Sequence, residues 1–325
     1  MGIITLLARR VASAVRKNEV SLAEWNKECV AHKQQDGSYG MAEKYRSTCT
    51  QIGKYLSAIS NSDLKVDELN GDFIEGFAKF LKSKELSENT IHFYLRNLSA
   101  MYHLQNNDYT DNPFRHVDMR ACPTRKRALD KQTMQLIKDF DSKGKKSLDL
   151  ARDLFMFSFY TQGMPFVDIA YLKASDIENG TIRYKRHKTN QPVTVTLVPE
   201  AKEIIRRYSN INKSARDKGM NKADDYYIFG IITGTDQATV YKQYRSGLAT
   251  QNRRLRKIGE ELGLDFPLTT YIARHTWATL AQNNGVPTAV ISQSLGHTSE
   301  TTTRIYLGSM DTKILAKYNR LTTRL

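Results

Sequence analysis

Three residues of the chain have types and spacing that suit one chemistry. Arg274 lies in T-Y-I-A-R-H-T-W-A-T, and His297 and Tyr306 lie in Q-S-L-G-H-T-S-E-T-T-T-R-I-Y, nine residues from the histidine to the tyrosine. Collected at one point, they fit covalent attack on a phosphodiester. An arginine neutralises growing charge, an imidazole handles a proton, and a phenol oxygen is a nucleophile. The other elements of the chain are the ones that must bring these residues together.

Composition agrees with a phosphate substrate. The chain has 325 residues and a formal net charge of +15. That length has room for two domains with separate cores. The charge implies a polyanionic partner, nucleic acid first, although a ribosome-associated or merely soluble basic protein has the same composition. Cys29, Cys49 and Cys122 are an odd set without metal-ligand spacing, so neither a disulfide framework nor a structural zinc is indicated, and a reducing, intracellular compartment fits. No cofactor or metal is called for. No apolar run reaches the roughly 18 residues of a spanning helix. Ile3 to Val15 is interrupted by Arg9 and Arg10, which predicts a basic amphipathic helix over residues 3–17, not a signal segment.

Periodicity predicts four helices in the first part of the chain. Ser21-Leu-Ala-Glu24 has capping-box spacing and starts one that runs to about Lys33. Tyr45, Thr48, Ile52, Tyr55, Leu56 and Ile59 mark a second, from Met41. A shorter one covers Gly71 to Lys82, and Ser87 caps a fourth carrying Ile91, Tyr94, Leu95, Leu98, Met101 and Tyr102. Lys44 and Arg96 punctuate this unit and are candidate phosphate contacts, with a plain solvated face as the alternative. Asp111-Asn-Pro113 stops the fourth helix, and the stretch to Asp130, with Arg125, Lys126 and Arg127, reads as a basic linker that adds phosphate contacts or serves as a tether.

The second domain is predicted to open with helices at Lys131–Phe140 and from Ser147, stopped by Gly163, then one at Pro165–Leu172 with proline at its first position. Thr181–Lys188 and Val193–Leu197 alternate in character and form a β-hairpin with Lys188 at its tip. A helix from Glu200 to about Tyr208 is followed by a polar loop from Asn210, and a long basic helix spans Ala238–Leu262. Shorter helices carry Arg274, Pro287–Leu295 and Thr301–Tyr306, and another is expected at Thr312–Tyr318.

The boxes Ala273-Arg274-His275-Thr276-Trp277, Leu295-Gly296-His297 and Thr302-Thr303-Arg304-Ile305-Tyr306, in this order, resemble the tyrosine recombinase (phage-integrase) family, in particular mobile-element integrases and invertases of bacteria. The resemblance implies a mainly α fold. An N-terminal extension (1–18) and a four-helix core-binding domain (19–112) precede the linker (113–130). A mostly α catalytic domain with a small antiparallel sheet follows (131–308), then a C-terminal tail (309–325) that either exchanges between protomers or docks on its own domain. It implies that Tyr306 attacks the scissile phosphate, leaving a 3′-phosphotyrosyl bond, and that Arg274 binds nonbridging oxygens. His297 would bind the same phosphate or handle the nucleophile's proton, and Lys188 would protonate the leaving 5′-oxygen. Tyr271 stands where the family usually has a histidine, and a phenol can still donate to phosphate.

One departure is larger. The family's first arginine is absent: Pro165 follows Gly163-Met164, and Gln162 precedes the glycine. Its loss removes an effect worth about 100- to 1000-fold in rate unless Arg183, Arg186 or Arg152 compensates. Arg186 is also a candidate DNA phosphate contact, and Asp168 reads as a helix-orienting acid. The implied partners are double-stranded DNA with inverted half-sites, a homotetramer on DNA from a free monomer, and accessory DNA-bending proteins, in the nucleoid-associated cytoplasm. The length leaves no room for a large arm-binding domain, which favours an invertase, resolvase or mobile-element integrase. The alternatives are a catalytically impaired DNA-binding protein of this fold and a type IB topoisomerase.

Overall fold

The computed structural model describes residues 20–61, 64–105, 112–122, 127–216, 225–307 and 320, with the side chains of 67, 105, 210–216, 305 and 306 excepted. The expected helix over 3–17, the one at Thr312–Tyr318, and the tail lie outside the described residues. The chain divides into two compact units, Met1–Thr124 and Arg125–Leu325.

The first unit contains α1 (Leu22–Gln35), α2 (Tyr39–Ala58), α3 (Gly71–Ser83) and α4 (Glu88–Gln105). Ser21 caps α1 by accepting from the Glu24 amide, and Asn70 caps α3 through the Phe73 amide, which satisfies donors that a helix start leaves bare. Tyr45, Ile52, Tyr55 and Leu56 pack against Phe73, Phe77, Ile91, Leu95 and Leu98 in one core, while Ile59, expected on the same stripe, is exposed. The first half of the expected linker docks on this unit. Phe114 is buried in its core, and Asn89 exchanges side-chain bonds with both backbone groups of Cys122. Its irregular backbone is satisfied by side chains, which is why the absence of periodicity reads as a tether in sequence and is ordered in the fold.

The second unit runs through α5 (Lys131–Lys138), α6 (Lys146–Tyr160), α7 (Phe166–Ala170), β1 (Ile177–Glu178), β2 (Thr181–Lys185), β3 (Pro192–Thr196), α8 (Pro199–Arg216), α9 (Gln237–Glu261), α10 (Thr270–Asn283), α11 (Thr288–Ser294) and α12 (Glu300–Leu307). Helix α6 is the axis, with Leu148, Ala151, Leu154, Phe155, Met156 and Phe157 all buried. The sheet is antiparallel in the order β1-β2-β3.

Four expectations shift. The stop after α6 begins at Gln162 (φ 60°) and continues at Gly163 (φ 75°). Pro165 is the N-cap of α7, one position before its predicted place, and leaves a helix of only five residues. A further strand, β1, precedes the expected hairpin, and Asn179-Gly180, both at positive φ, makes its tight turn to β2. Helix α8 continues to Arg216 where a loop was expected, because Asn210–Arg216 contains neither glycine nor proline to stop it.

Candidate active site

Helix α10 delivers Arg274 into the interior, where it is only 3% exposed. A guanidinium so placed needs acceptors. Its Nη1 donates to the Gly163 carbonyl at 2.9 Å and its Nη2 to the Leu295 carbonyl at 2.6 Å. The left-handed turn after α6 exists for this approach: a Cβ on Gly163 would stand 2.9 Å from Arg274 Cα and Cγ. The glycine near which the family resemblance expects an arginine, at Pro165 or Gln162, therefore supplies a carbonyl that fixes the other arginine.

His297 follows α11 through Gly296, whose positive φ turns the chain and whose Cβ would collide with Arg186 and with Val193 Cγ2 at 2.8 Å. Its Nε2 lies 3.2 Å from Arg274 Nη2, and its Nδ1 lies 2.8 Å from Thr303 Oγ1. Burial, followed by the positive charges of Arg274, Arg186 and Lys188, pushes the imidazole down from 6.5 to about 4. The ring is therefore neutral near pH 7.

Lys188 is exposed in the turn between β2 and β3. The turn is fixed by Arg186 N–H to Gln191 O and Asn190 N–H to Arg186 O, and Thr189 Oγ1 donates to the Gly296 carbonyl at 3.4 Å. Arg186, expected as a DNA phosphate contact, is instead 7% exposed and donates Nη1 to the carbonyls of Leu295 (2.8 Å) and Gly296 (3.1 Å). It sits inside because the first residue past β2 points at the α11–α12 turn, whose carbonyls need a donor. Asp168 is buried beside it, accepts from the His187 amide at 2.9 Å, and lies 3.7 Å from Arg186 Nε. The acid expected to orient its helix makes its contacts with the hairpin turn, which it holds.

The other sequence candidates fall in several places. Tyr271 is 53% exposed and meets His275 edge-on, ring centroids 4.6 Å apart. Tyr306 is in the last turn of α12, described here by its backbone; Leu307 beside it packs with Ala278, Ala281, Ile291 and Leu295 and so seats that helix on α10 and α11. Arg125 and Lys126 lie outside the described residues. Arg127 is exposed, its guanidinium 5.8 Å over the Phe266 ring. In the first unit Lys44 and Arg96 are both exposed, and Arg96 donates to the Met119 carbonyl. Among the compensating arginines, Arg183 is exposed and paired with Glu178, and Arg152 is bound by Asp149, Asp153 and the Phe140 carbonyl. Only Arg186 of the three has its charge felt at His297. Sequence reasoning missed the Gly163 carbonyl and Thr303; the left-handed requirement of Gly163 was its one usable signal.

A helical unit with a three-stranded antiparallel sheet, holding a buried arginine against a histidine one helix away from a tyrosine, defines a class. The sequence matches the Phage integrase family over residues 127–313 and the Phage integrase SAM-like domain over residues 21–116, and the chain belongs to that family. Among relatives it is similar to the tyrosine recombinase XerA of Saccharolobus solfataricus, 30% identical over 135 residues, 42% of this chain and 37% of that protein. With XerD of Listeria innocua the likeness is 22% over 249 residues, 74% of this chain and 78% of that one. The XerA match thus spans well under half the length of that relative. The fold is shared with the Tn1549 transposon integrase in complex with transposon right end DNA (TM-score 0.60, 16% identity, 94% of this chain and 100% of that one). It is shared as well with a lambda integrase dimer bound to a COC' core site (TM-score 0.58, 16% identity, 94% and 81%). No helix among the described residues is long and apolar enough to cross a membrane, and no cluster of metal-ligating side chains occurs among them.

Proposed function

We propose that the protein is a site-specific DNA recombinase that cleaves and rejoins strands through a 3′-phosphotyrosyl intermediate. The observation that carries this reading is Arg274, a guanidinium fixed inside the protein by two backbone carbonyls with its Nη2 against His297. The two carbonyls set the orientation of the fork before any phosphate arrives, so no reorganisation is spent when charge develops. Tyr306 Oη attacks phosphorus, the bond to the 5′-oxygen breaks, and Lys188 from the hairpin tip gives that oxygen its proton. The phosphotyrosyl bond keeps the phosphodiester free energy, so rejoining needs no nucleotide. Tyr271, exposed one turn before Arg274, donates its hydroxyl to the phosphate.

The place of the first family arginine is filled in part by Arg186. Its charge reaches His297 although its Nη1 is committed to Leu295 and Gly296. Field without contact makes for a working but slow enzyme. The net charge of +15 supports a DNA duplex as partner, with Lys44, Arg96, Arg125, Lys126 and Arg127 holding phosphates. A lambda integrase dimer bound to a core site and a lambda integrase tetramer bound to a Holliday junction share the fold, which supports an oligomer on DNA. Inverted half-sites, a tetrameric synapse formed from free monomers, DNA-bending accessory proteins and the nucleoid-associated cytoplasm belong to the same proposal.

The test is a pool of nicked duplexes with randomised half-sites, incubated with the protein and selected for covalent capture. Capture that Tyr306→Phe abolishes is the expected result. Tight DNA binding without capture gives the impaired DNA-binding protein, and relaxation of plasmid regardless of sequence gives the topoisomerase.

A further inference from the structure

We propose that Thr303 is a positioning residue: its hydroxyl holds His297 in the tautomer protonated at Nδ1, leaving Nε2 as an acceptor on the side of Arg274. A guanidinium carries donors and no acceptor, so the atom 3.2 Å from Arg274 Nη2 must offer a lone pair. A proton on Nε2 would face an N–H of Arg274. The neutral ring then carries its one proton on Nδ1, 2.8 Å from Thr303 Oγ1, which accepts it. Thr303 is fully buried, so water cannot replace it as the acceptor. Arg274 from α10 and Arg186 and Lys188 from the hairpin turn act on the ring with positive charge, and each favours the neutral form.

The position of Thr303 in the chain gives this contact its consequence. Thr303 is three residues before Tyr306, so both occupy one face of α12, a turn apart. The helix that carries the nucleophile therefore also carries the group that orients the imidazole, and His297 is correctly set only when α12 is seated. On the proposed function, His297 Nε2 is ready to take the Tyr306 phenol proton as its oxygen bonds to phosphorus. As long as the ring is neutral, it has no proton to donate to the phosphate from that atom.

The geometry is tested without DNA. Long-range proton–nitrogen spectra of the full chain labelled in its histidines, with His297 assigned through His297→Asn, should show Nδ1 protonated and Nε2 bare near pH 7. A bare Nδ1 overturns the proposal. Adduct formation on a captured nicked duplex is then followed against pH. Thr303→Val, which keeps shape and removes the acceptor, should slow it about tenfold or more. It should also move the acidic limb to lower pH, since the imidazolium loses more than the neutral ring does. Thr303→Ser should restore most of the rate and the limb. A wild-type profile in Thr303→Val, or Thr303→Ser as slow as Thr303→Val, overturns it. Should Thr303→Val not fold, the wild-type spectrum and the contrast of Thr303→Ser with Thr303→Ala decide. Absence of any adduct in the wild type counts against the proposed function alone, and the spectrum still judges the tautomer.

Discussion

The interior and the rim of the site are built on opposite terms. Arg274, Arg186 and His297 are tied to carbonyls and to Thr303, so their positions are set before any substrate arrives. Lys188 and Tyr271 project from a turn and from the first turn of a helix into solvent. Groups that must oppose developing charge gain from being fixed and desolvated, because reorientation then costs nothing in the transition state. A group that delivers a proton to a leaving oxygen must travel with the strand, and a flexible ammonium on a turn can do so. On the proposed function, the chain divides charge stabilisation and proton delivery between a rigid cradle and an adaptable edge.

The largest effect should come from the cradle. Arg274→Lys keeps a charge but cannot span the Gly163 and Leu295 carbonyls, and adduct formation should fall about 100- to 1000-fold. A loss of less than about tenfold would show that the cradle's fork geometry is dispensable. Lys188→Ala should cost about 100-fold in the same assay, the typical worth of a general acid, with no change in melting temperature. Gly163→Ala strains a left-handed residue and drives a methyl into Arg274, so it should destabilise the fold by about 1–3 kcal/mol in denaturant titration and slow the reaction as well. An unperturbed midpoint would mean that the turn can move.

How much of this division was legible in the sequence follows from what each residue does. Arg274, His297 and Tyr306 stand out in the sequence because the proposed chemistry forces type and order, and the fold brings the first two into contact. The helices of the first unit were found because their buried stripes repeat at helical spacing. Arg186 was misplaced because a cation in a run of cations carries no signal of burial; only the bare carbonyls of Leu295 and Gly296, distant in sequence, put it inside. Thr303 was invisible for a related reason, since a threonine in Thr-Thr-Thr looks like a surface residue until His297 stands against it. Strand β1 was missed although Asn179-Gly180 announces its turn.

Smaller effects sharpen the interior further. His297 binds a proton less readily folded than unfolded, so the unfolded chain takes up more protons between pH 6.5 and about 4. The stabilisation from its lowered pKa is therefore present above 6.5 and lost as pH falls through that window. The stability difference between wild type and His297→Asn should shrink on acidification, as measured by chemical denaturation, and a difference constant with pH would contradict the neutral ring. At the rim, Tyr271→Phe removes one exposed hydroxyl and should slow adduct formation by less than about tenfold.

The division of labour is tested most directly by replacing the 5′-bridging oxygen of a captured duplex with sulfur, a leaving group that needs no proton. Cleavage rates are then compared for wild type, Lys188→Ala and Arg274→Lys. The account predicts that sulfur brings Lys188→Ala to within about tenfold of wild type while Arg274→Lys stays slow. Equal rescue of both variants, or of neither, would contradict it.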